Sequence, residues 1–367
     1  MNAYPLSRAG LHVLAAAALV ACGGTETVAA PDVCSDLDQD GYGSPGSALC
    51  PMPQADCDDG DDAVNPAAEE ICAGGLDEDC DGLTDAADPD CGPPLFSFAV
   101  IADSHIVAGE QEHRDRLAAA VGWLNANAAA ERLELAIVVG DIGWGEGGVE
   151  AAKEILDALD VPYVPLIGDN EIHGGSEEQF ELAFAPHFAA LASKLEGFEK
   201  APAPVPNPQT GAPSYLQNVA FGVQGVRFIG LDWCTRRFEG LEGEQADLHD
   251  FPGGTLPWLA ASLDASPKST KESIVLASHH PVHWIELAAF AQDEMGVLGD
   301  LLGKYRDYVY ASFGGHYHNN AYTDLSDAGY EVFVTDATWD DEVTIRLVGV
   351  REAEGTFKYR HELVVVP

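Results

Sequence analysis

The sequence predicts a layered α/β (α+β) fold, in which two packed, mixed β-sheets are flanked by helices and preceded by a small acidic, disulfide-rich module. From residue 94 onward, short apolar runs alternate with segments of helical periodicity, which is typical of layered α/β proteins. Later apolar runs follow one another more closely, which indicates antiparallel strands. The concentration of cysteine and aspartate before residue 92 sets the small module apart.

The elements of the large domain are predicted in chain order. The first half alternates strands with helices, at 96–102 (strand), 111–130 (helix), 135–139 (strand), 149–159 (helix), 163–167 (strand) and 177–195 (helix). The proline-rich segment 200–213 is predicted to be a surface loop. The second half contains strands at 219–223 and 226–231, which form a hairpin, and at 273–277, 309–313, 332–335, 343–348 and 357–366.

Length and charge limit the classes of protein that this chain fits. Its 367 residues suffice for one large domain and one small one. The formal net charge of −43 repels polyanions, so nucleic acid is not an expected partner, although a local basic groove would override this repulsion. The same charge suits an exported protein that binds divalent cations.

The N-terminus resembles a bacterial lipoprotein signal. Arg8 precedes an apolar stretch at 11–21 that is too short to span a membrane, which takes about 20 apolar residues. Small residues then lead to Cys22, where a lipobox is cleaved and lipidated; an ordinary signal peptide with a chance cysteine is the alternative. The expected organisation is a signal peptide at 1–21, a tether at 22–33, the acidic module at 34–91 and the large domain at 94–367.

Most cysteines lie in the acidic module. An even, dense set in an exported segment predicts three disulfides, whose connectivity the sequence leaves open: Cys34, Cys50, Cys57, Cys72, Cys80 and Cys91. The module has eighteen acidic and no basic residues between 32 and 90, and almost no large apolar ones, so disulfides and metal must stabilise it. The isolated Cys234 is predicted to be a buried small hydrophobe.

Two stretches of the module have the carboxylate spacing of a calcium-binding EF-hand loop. Alternate carboxylates of such a loop face one ion, and a glycine at position six permits a sharp turn. The matching residues are Asp36, Asp38 and Asp40 in the first loop, and Asp77, Asp79, Asp81 and, at position twelve, Asp88 in the second. The first loop has Ser47 at position twelve, so its closing carboxylate is missing. The module also resembles the Cys- and Asp-rich putative metal-binding repeats of exported bacterial proteins, and we expect Ca²⁺ there; a solvated acidic spacer is the alternative.

Five short polar clusters follow predicted strands of the large domain. They contain Asp103 and His105; Asp141; Asp169, Asn170 and Glu171; His279 and His280; and His316 and His318. Ligands collect at the carboxyl ends of strands in α/β sheets, so these residues are expected to meet. Because carboxylates and imidazoles together suit Mn, Fe or Zn better than Ca, the sequence predicts two divalent transition metals. Two such ions about 3.5–4 Å apart favour hydrolysis of a phosphoester.

At these clusters the chain resembles the calcineurin-like metallophosphoesterase superfamily, over roughly residues 94–330. The resemblance implies a two-sheet sandwich and a set of seven metal-binding residues. Carried over position by position, the first metal takes Asp103, His105 and His318, the second takes Asp169, His279 and His316, and Asp141 bridges both. His279 is preferred to His280 because the family's ligand lies two residues before the proline.

The chain departs from the family pattern at three positions. Asp169 stands where the family has Asn, which adds a negative charge; a register with Asn170 as the ligand remains open. Asn170 stands where the family has its catalytic His, and Asn donates a hydrogen bond but cannot act as a general acid. Trp144 stands where purple acid phosphatases have a metal-binding Tyr, so an iron site of that type is not expected. Candidates for a replacement proton donor are His173, His280 and His283.

Other polar and aromatic residues carry weaker expectations. Arg236 and Arg237 follow the strand at 226–231, where a solvated loop is the favoured interpretation and a phosphate clamp the alternative. The glycine-rich segment 143–148 is predicted to form a lip beside Asp141. Trp233 and Trp284 are predicted to be core or rim residues.

These observations predict an exported, lipid-anchored, two-metal enzyme that hydrolyses a phosphomonoester or phosphodiester with a metal-activated water. Asp141, Asn170 and His280 are its predicted catalytic residues. We expect a monomer at the outer membrane, the cell surface or the periplasm, whose partners are a small phosphoester and, through lipid alone, the membrane. The alternative is a calcium-dependent surface lipoprotein with an inactive phosphoesterase domain, which the replaced catalytic His favours and the intact ligand set opposes. A nuclease on the same scaffold is disfavoured by the net charge.

Overall fold

The structure is a computed structural model that describes residues 34–68, 70–71, 74–84, 88, 91–172, 177–236, 245–282, 290–325, 329–340, 342–353 and 355–367. The chain divides into two compact units, Met1–Ala87 and Asp88–Pro367. Several residues singled out by the sequence lie outside the described ranges: Cys22, Cys72, His173, Arg237, His283 and Trp284. Within the described ranges, every helix is too short or too polar to cross a membrane.

The second unit contains helices and strands in alternation. Its described helices are α1 (Gln111–Asn127), α2 (Gly148–Leu156), α3 (Glu177–Leu191), α4 (Thr255–Ala265) and α5 (Gln292–Leu302). Its described strands are β1 (Phe96–Ile101), β2 (Ile106–Val107), β3 (Leu133–Val139), β4 (Gly143–Trp144), β5 (Tyr163–Leu166), β6 (Glu196–Lys200), β7 (Val205–Pro206), β8 (Pro213–Ser214), β9 (Val219–Val223), β10 (Val226–Leu231), β11 (Ile274–Ser278), β12 (Val309–Gly314), β13 (Ala321–Leu325), β14 (Tyr330–Val334), β15 (Thr344–Ala353) and β16 (Thr356–Val365).

Two mixed sheets form the centre of this unit. The five-stranded sheet has the order β16-β15-β1-β3-β5, in which β1, β3 and β5 are parallel and β15 is antiparallel to both of its neighbours. The seven-stranded sheet has the order β13-β14-β12-β11-β10-β9-β6, with β10, β11, β12 and β14 parallel. The predicted fold class, two packed mixed sheets flanked by helices, is confirmed.

Aromatic side chains join the two sheets. Phe98 of β1 meets Phe228 of β10 and Phe313 of β12 edge to face, with ring centroids 5.1 and 5.4 Å apart. The next residue of β10, Ile229, belongs to a separate cluster on the opposite face, which also contains Leu259 of α4. Because successive side chains of a strand point to opposite faces, the central strands are covered on both sides and read as continuous apolar runs.

Helices α4 and α5 and strand β13 were absent from the prediction. Helix α4 contains Pro257 in its first turn, where the missing backbone N–H costs nothing, and α5 contains Gly296 and Gly299, which weaken its intrinsic helix propensity. Packing of their apolar residues on the seven-stranded sheet stabilises both helices. Within the segment predicted as a proline-rich loop, β7 pairs with β8.

Disulfides take the place of a large core in the first unit. They join Cys34 to Cys50 and Cys57 to Cys80, and Cys91, in the second unit, is also disulfide-bonded. The prediction of disulfides is therefore confirmed for the five described cysteines of the six, and Cys72 lies outside the described residues. Paired cysteines are typical of exported proteins, because reducing compartments keep thiols free.

Candidate metal centre

Five strand ends place polar side chains at one edge of the two sheets. Asp103 and His105 follow β1, Asp141 follows β3, and Asp169 follows β5. His279 follows β11, and the last pair, His316 and His318, follows β12. Strands β1, β3 and β5 are parallel in one sheet, and β11 and β12 are parallel in the other, so the carboxyl ends lie at one edge within each sheet. The structure thus brings these residues together at the carboxyl ends of the strands, as the sequence predicts.

A first group consists of Asp103, His105 and His318. One ligand atom from each lies within 4.8 Å of the others. His318 Nε2 is 3.5 Å and His105 Nε2 is 3.8 Å from Asp103 Oδ1. Asp103 is fully buried, and its carboxylate accepts hydrogen bonds from the backbone N–H of His316.

A second group consists of Asp169, His279 and His316, again with ligand atoms within 4.8 Å of one another. Asp169 Oδ1 lies 2.8 Å from His279 Nε2 and 3.1 Å from His316 Nδ1. His279 Nδ1 lies 3.0 Å from the carbonyl oxygen of Val139. A proton on Nδ1 donated to that carbonyl leaves the Nε2 lone pair facing the centre, as metal-binding histidines require.

Asp141 lies between the two groups. Its Oδ2 is 3.3 Å from His105 Nε2 of the first group, and its Oδ1 is 3.4 Å from His279 Nε2 of the second. The backbone N–H of Asn170 also donates to Oδ1, at 2.9 Å. Each carboxylate oxygen of Asp141 therefore faces a different group, which is the arrangement of a carboxylate shared by two ions.

The donor set fits bound transition metals. It combines three carboxylates with four imidazoles, a mixture that suits Mn, Fe or Zn. His105 Nε2 is buried and has no hydrogen-bond partner among the described residues, although it faces two carboxylates. Burial and the charges of Asp169, Glu171 and Asp103 raise the pKa of Asp141 well above its usual range, despite the opposing charge of His279. A cation would relieve this repulsion and occupy the Nε2 lone pair.

Strained backbone is concentrated at the centre. A positive φ is uncommon outside glycine, and it persists only where the surrounding structure enforces it. Among the described residues, five members of the two groups and their bridge have φ between 44° and 73°: Asp103, His105, Asp141, His316 and His318. Such strain marks functional sites, because it aims side chains that relaxed backbone would not.

Glycines before the ligand-type residues are required by space. A Cβ on Gly168 would lie 2.1 Å from the backbone nitrogen of Asp141, and one on Gly315 would lie 2.3 Å from Asp103 Oδ2. A Cβ on Gly140 would lie 2.6 Å from His279 Cβ, and its φ of +88° also favours glycine. The Gly-Asp and Gly-His steps of the sequence therefore reflect close approach of backbone to the centre.

Glu171 connects two of the loops and was not assigned a role by sequence reasoning. Its Oε1 accepts the N–H of Gly143 at 2.8 Å, and its Oε2 accepts the N–H of Gly168 at 2.7 Å. Burial raises the pKa of Glu171 to about 7, although both backbone hydrogen bonds oppose the shift. The side chain thus holds the loops that carry Asp141 and Asp169 at a fixed separation.

Replacing Glu171 with Gln is expected to lower metal affinity about 10–100-fold, the usual cost of losing a group that orients ligands. Gln offers one acceptor oxygen and one NH₂, so one backbone N–H would lose its partner. Isothermal titration with Mn²⁺ and Zn²⁺ measures the change, with Glu154→Gln on the exposed side of α2 as the control. Affinity equal to the control would rule out this positioning role.

Asn170 and His280, two of the predicted catalytic residues, both lie beside histidines of the two groups. The amide nitrogen of Asn170 lies 3.0 Å from His105 Nδ1, so its side chain contacts a first-group histidine. His280 is fully buried, with Nδ1 3.6 Å from the sulfur of Cys234 and its ring 4.5 Å from that of His316. The Asp169 carboxylate, and not the Asn170 amide, meets His279 and His316.

Cys234 is buried, as predicted.

The solvated loop expected at Arg236 is wrong. Arg236 is 3% exposed and forms ion pairs with Asp232 and Glu177 at 2.7 and 2.8 Å. Although burial opposes it, the charge of Asp232 raises the pKa of Arg236 further. Two acidic partners neutralise this guanidinium, so it is not placed as a phosphate clamp. Trp233 is fully buried, in agreement with its predicted core position.

Aromatic residues surround the first group. Trp339 packs its ring 5.4 Å from His105 and 5.9 Å from His318, and Trp144, which is 51% exposed, lies 6.2 Å from His105. His113 Nδ1 lies 2.7 Å from the carbonyl oxygen of His105. Sequence reasoning missed Trp339 because it lies far along the chain from every motif, after β14.

The two acidic loops of the first unit share one backbone pattern. In each, the carboxylate at position one accepts the N–H of the glycine at position six, Gly41 at 3.1 Å and Gly82 at 3.0 Å. Ligand atoms of Asp36, Asp38 and Asp40 lie within 4.8 Å of one another. In the second loop, Asp77 and Asp79 both accept the N–H of Asp81. Asp88 is buried and belongs to the second unit.

Solved structures that the chain resembles include three distant ones. No protein-family model and no curated protein matches the chain. A sulfate thiohydrolase, SoxB of Thermus thermophilus in complex with glycerol, is 14% identical with a TM-score of 0.41, over 75% of this chain and 58% of that one. GAP50, the anchor in the inner membrane complex of Plasmodium, is 11% identical with a TM-score of 0.41, over 74% and 89%. Vacuolar Protein Sorting 29 from Cryptosporidium parvum is 10% identical with a TM-score of 0.28, over 74% and 98%. The chain thus spans 58% of the length of SoxB.

Proposed function

We propose that this chain is a two-metal hydrolase of phosphoesters. The observation that carries the proposal is the position of Asp141, whose two oxygens face His105 and His279 at 3.3 and 3.4 Å. On either side of it stands a group of one carboxylate and two imidazoles. Two adjacent ions sharing one carboxylate are the arrangement that stabilises both the attacking and the leaving oxygen of an in-line displacement.

Each residue of the centre has a specific part in this proposal. Asp103, His105 and His318 would hold one ion, Asp169, His279 and His316 would hold the other, and Asp141 would be shared between them. When bound, the ions supply Lewis acidity that activates water and polarises a phosphoryl oxygen. Three carboxylates against two divalent ions leave about +1 of net charge, which favours tight metal binding and only moderate attraction of an anionic substrate.

The neighbouring side chains set the proton chemistry. Asn170 is buried against His105 and offers no ionisable proton, so it orients that ring or donates a hydrogen bond to substrate. Of the candidate proton donors, His173 and His283 lie outside the described residues, and full burial beside Cys234 separates His280 from solvent. Without a well-placed general acid, the leaving group departs unprotonated. The enzyme should therefore prefer esters whose leaving group is a weak base.

A panel of aryl phosphomonoesters and phosphodiesters, assayed with Mn²⁺, Fe²⁺ and Zn²⁺ in turn, tests the proposal. We expect turnover that rises steeply as the pKa of the leaving phenol falls, because the buried His280 is poorly placed to protonate the departing group. A rate that is independent of leaving-group pKa would instead indicate a general acid or a different limiting step. If a folded, metal-loaded sample turns over no ester, the chain is better described as a calcium-dependent binding protein with an inactive domain, which the replacement at Asn170 favours.

We also propose that the protein acts outside the cytoplasm, attached through lipid at Cys22. The paired cysteines support export, and the short apolar stretch at 11–21 ending at a cysteine supports a lipobox. Metabolic labelling with a fatty acid that survives in Cys22→Ala would contradict the attachment. The proposed protein is a monomer, and its proposed substrate is a small phosphoester at the cell envelope.

A further inference from the structure

The first acidic loop, residues 36–42, brings ligand atoms of Asp36, Asp38 and Asp40 within 4.8 Å of one another. Its backbone turns through positive φ at Gln39 and Gly41, which lets Asp36 accept N–H groups from both, at 2.7 and 3.1 Å. Asp38 and Asp40 accept the N–H groups of Asp40 and Tyr42 with one oxygen each, Oδ1. Their other oxygens, Oδ2, are buried and have no hydrogen-bond partner among the described residues.

A second segment brings a further carboxylate to this loop. The segment at 54–59 lies against 43–46, since Asp56 N–H donates to the Gly43 carbonyl at 3.1 Å and a Cβ on Gly46 would lie 2.5 Å from Ala55 N. Asp59 accepts the N–H of Leu37 at 2.9 Å. The chain between residues 47 and 54 therefore forms an excursion that returns to the loop.

Asp56 is the buried member of this returning segment. It is 3% exposed, its Oδ1 accepts the N–H of Asp58 at 2.9 Å, and its Oδ2 is buried without a hydrogen-bond partner. Asp38, Asp40 and Asp56 thus each keep one buried oxygen that has no donor among the described residues, a cost that a bound cation would offset.

We propose that the loop 36–42 and Asp56 bind one Ca²⁺ ion, with Asp56 as the closing carboxylate. Position twelve of the loop, Ser47, uses its hydroxyl to accept the N–H of Leu49 and lies outside this role. The ligands are all oxygens, and Ca²⁺ takes six to eight of them in flexible geometry, including the backbone carbonyl at position seven, here Tyr42. The ion would fasten residues 36–42 to residue 56, in a unit that has almost no apolar core.

Terbium luminescence on the full chain tests the site, because Tb³⁺ replaces Ca²⁺ and is sensitised by a nearby aromatic ring. Tyr42 is the only aromatic residue between 34 and 91, so emission lost in Tyr42→Phe comes from an ion beside this loop. We expect that emission in the wild type, and we expect Ca²⁺ to displace it. Emission unchanged by Tyr42→Phe would overturn the proposal.

Two isosteric variants test the part played by Asp56. Asp56→Asn is expected to weaken the Tyr42-sensitised affinity about tenfold or more, since it removes a ligand charge. Asp62→Asn, at an exposed aspartate six residues after Asp56, removes the same charge and is expected to leave the affinity unchanged. Equal affinities for the two variants would overturn the assignment. If a thiol count shows that the Asp56→Asn variant lacks its disulfides, Asp40→Asn is used instead. The Tb³⁺ affinity of Asp40→Asn must then fall about tenfold or more, and an unchanged affinity would overturn the proposed site. Phosphoester turnover plays no part in either readout.

Discussion

Asp141→Asn is expected to abolish phosphoester turnover and to weaken both metal ions together. The amide keeps the shape of the carboxylate but loses its charge, and it presents an NH₂ to one of the two histidines that it faces. The loss of affinity should exceed the roughly 10–100-fold that is typical of residues which only orient a ligand. Steady-state kinetics with each metal, together with metal counting by mass spectrometry, measures both effects.

The matched control for this variant is Asp160→Asn, which removes one carboxylate from an exposed turn after α2. Tryptophan fluorescence reports folding of the second unit, since all six tryptophans lie there. A folded Asp141→Asn that loses one metal and keeps the other would show that Asp141 is a ligand of a single site. Retained turnover would remove the central support for a two-metal hydrolase.

Gly168→Ala is expected to reduce turnover by roughly 10²-fold, the cost of moving a reacting group by about 1 Å. The added Cβ would lie 2.1 Å from the backbone nitrogen of Asp141 and 2.2 Å from its Oδ1, so one of the two loops must shift. Gly168 has no positive φ, and the glycine is therefore needed for space and not for backbone conformation. Kinetics at saturating metal separate the geometric loss from a loss of affinity.

Gly122→Ala in α1 is the control for this substitution. Nothing lies within 4 Å of the position that its Cβ would take, and Ala in a helix is favoured over Gly by about 0.5–1 kcal/mol. The control should keep full activity with equal or greater stability. If Gly168→Ala has the same turnover as the Gly122→Ala control, the close approach of Gly168 to Asp141 does not constrain the centre.

Local patterns predicted the central strands and the first three helices well. Strands β9 and β10 have their predicted bounds, and β1, β3 and β5 differ from theirs by one or two residues. These segments are apolar runs bounded by glycine, aspartate or proline, so their ends are visible in the sequence. Helix α4 was missed because Pro257 is typical of a helix break, although in the first turn it costs nothing. Helix α5 was missed because Gly296 and Gly299 lower its helix propensity, an effect that burial against the seven-stranded sheet outweighs.

Residues of the candidate centre that directly follow strands could be predicted from the sequence. Residues whose role depends on partners distant along the chain could not. Asp103, Asp141 and Asp169 each stand just after an apolar run, which is a local signal. Glu171 carries no such signal, because its role depends on the N–H of Gly143, 28 residues away. Asp56 likewise carries no local signal, because only its backbone hydrogen bond to Gly43 places it beside a loop that the sequence alone left without a closing carboxylate.

The sequence by itself determined the fold class, the presence of disulfides in the acidic module and the seven residues that gather at the strand ends, but not which cysteines are joined. It did so because strand periodicity, cysteine density and metal-type side chains are properties of short segments. Only the tertiary structure decided which atoms face each other: His316 N–H donates to Asp103 across 213 residues, and His279 meets Val139 across 140. Such contacts arise when two sheets pack, and no spacing along the chain specifies them.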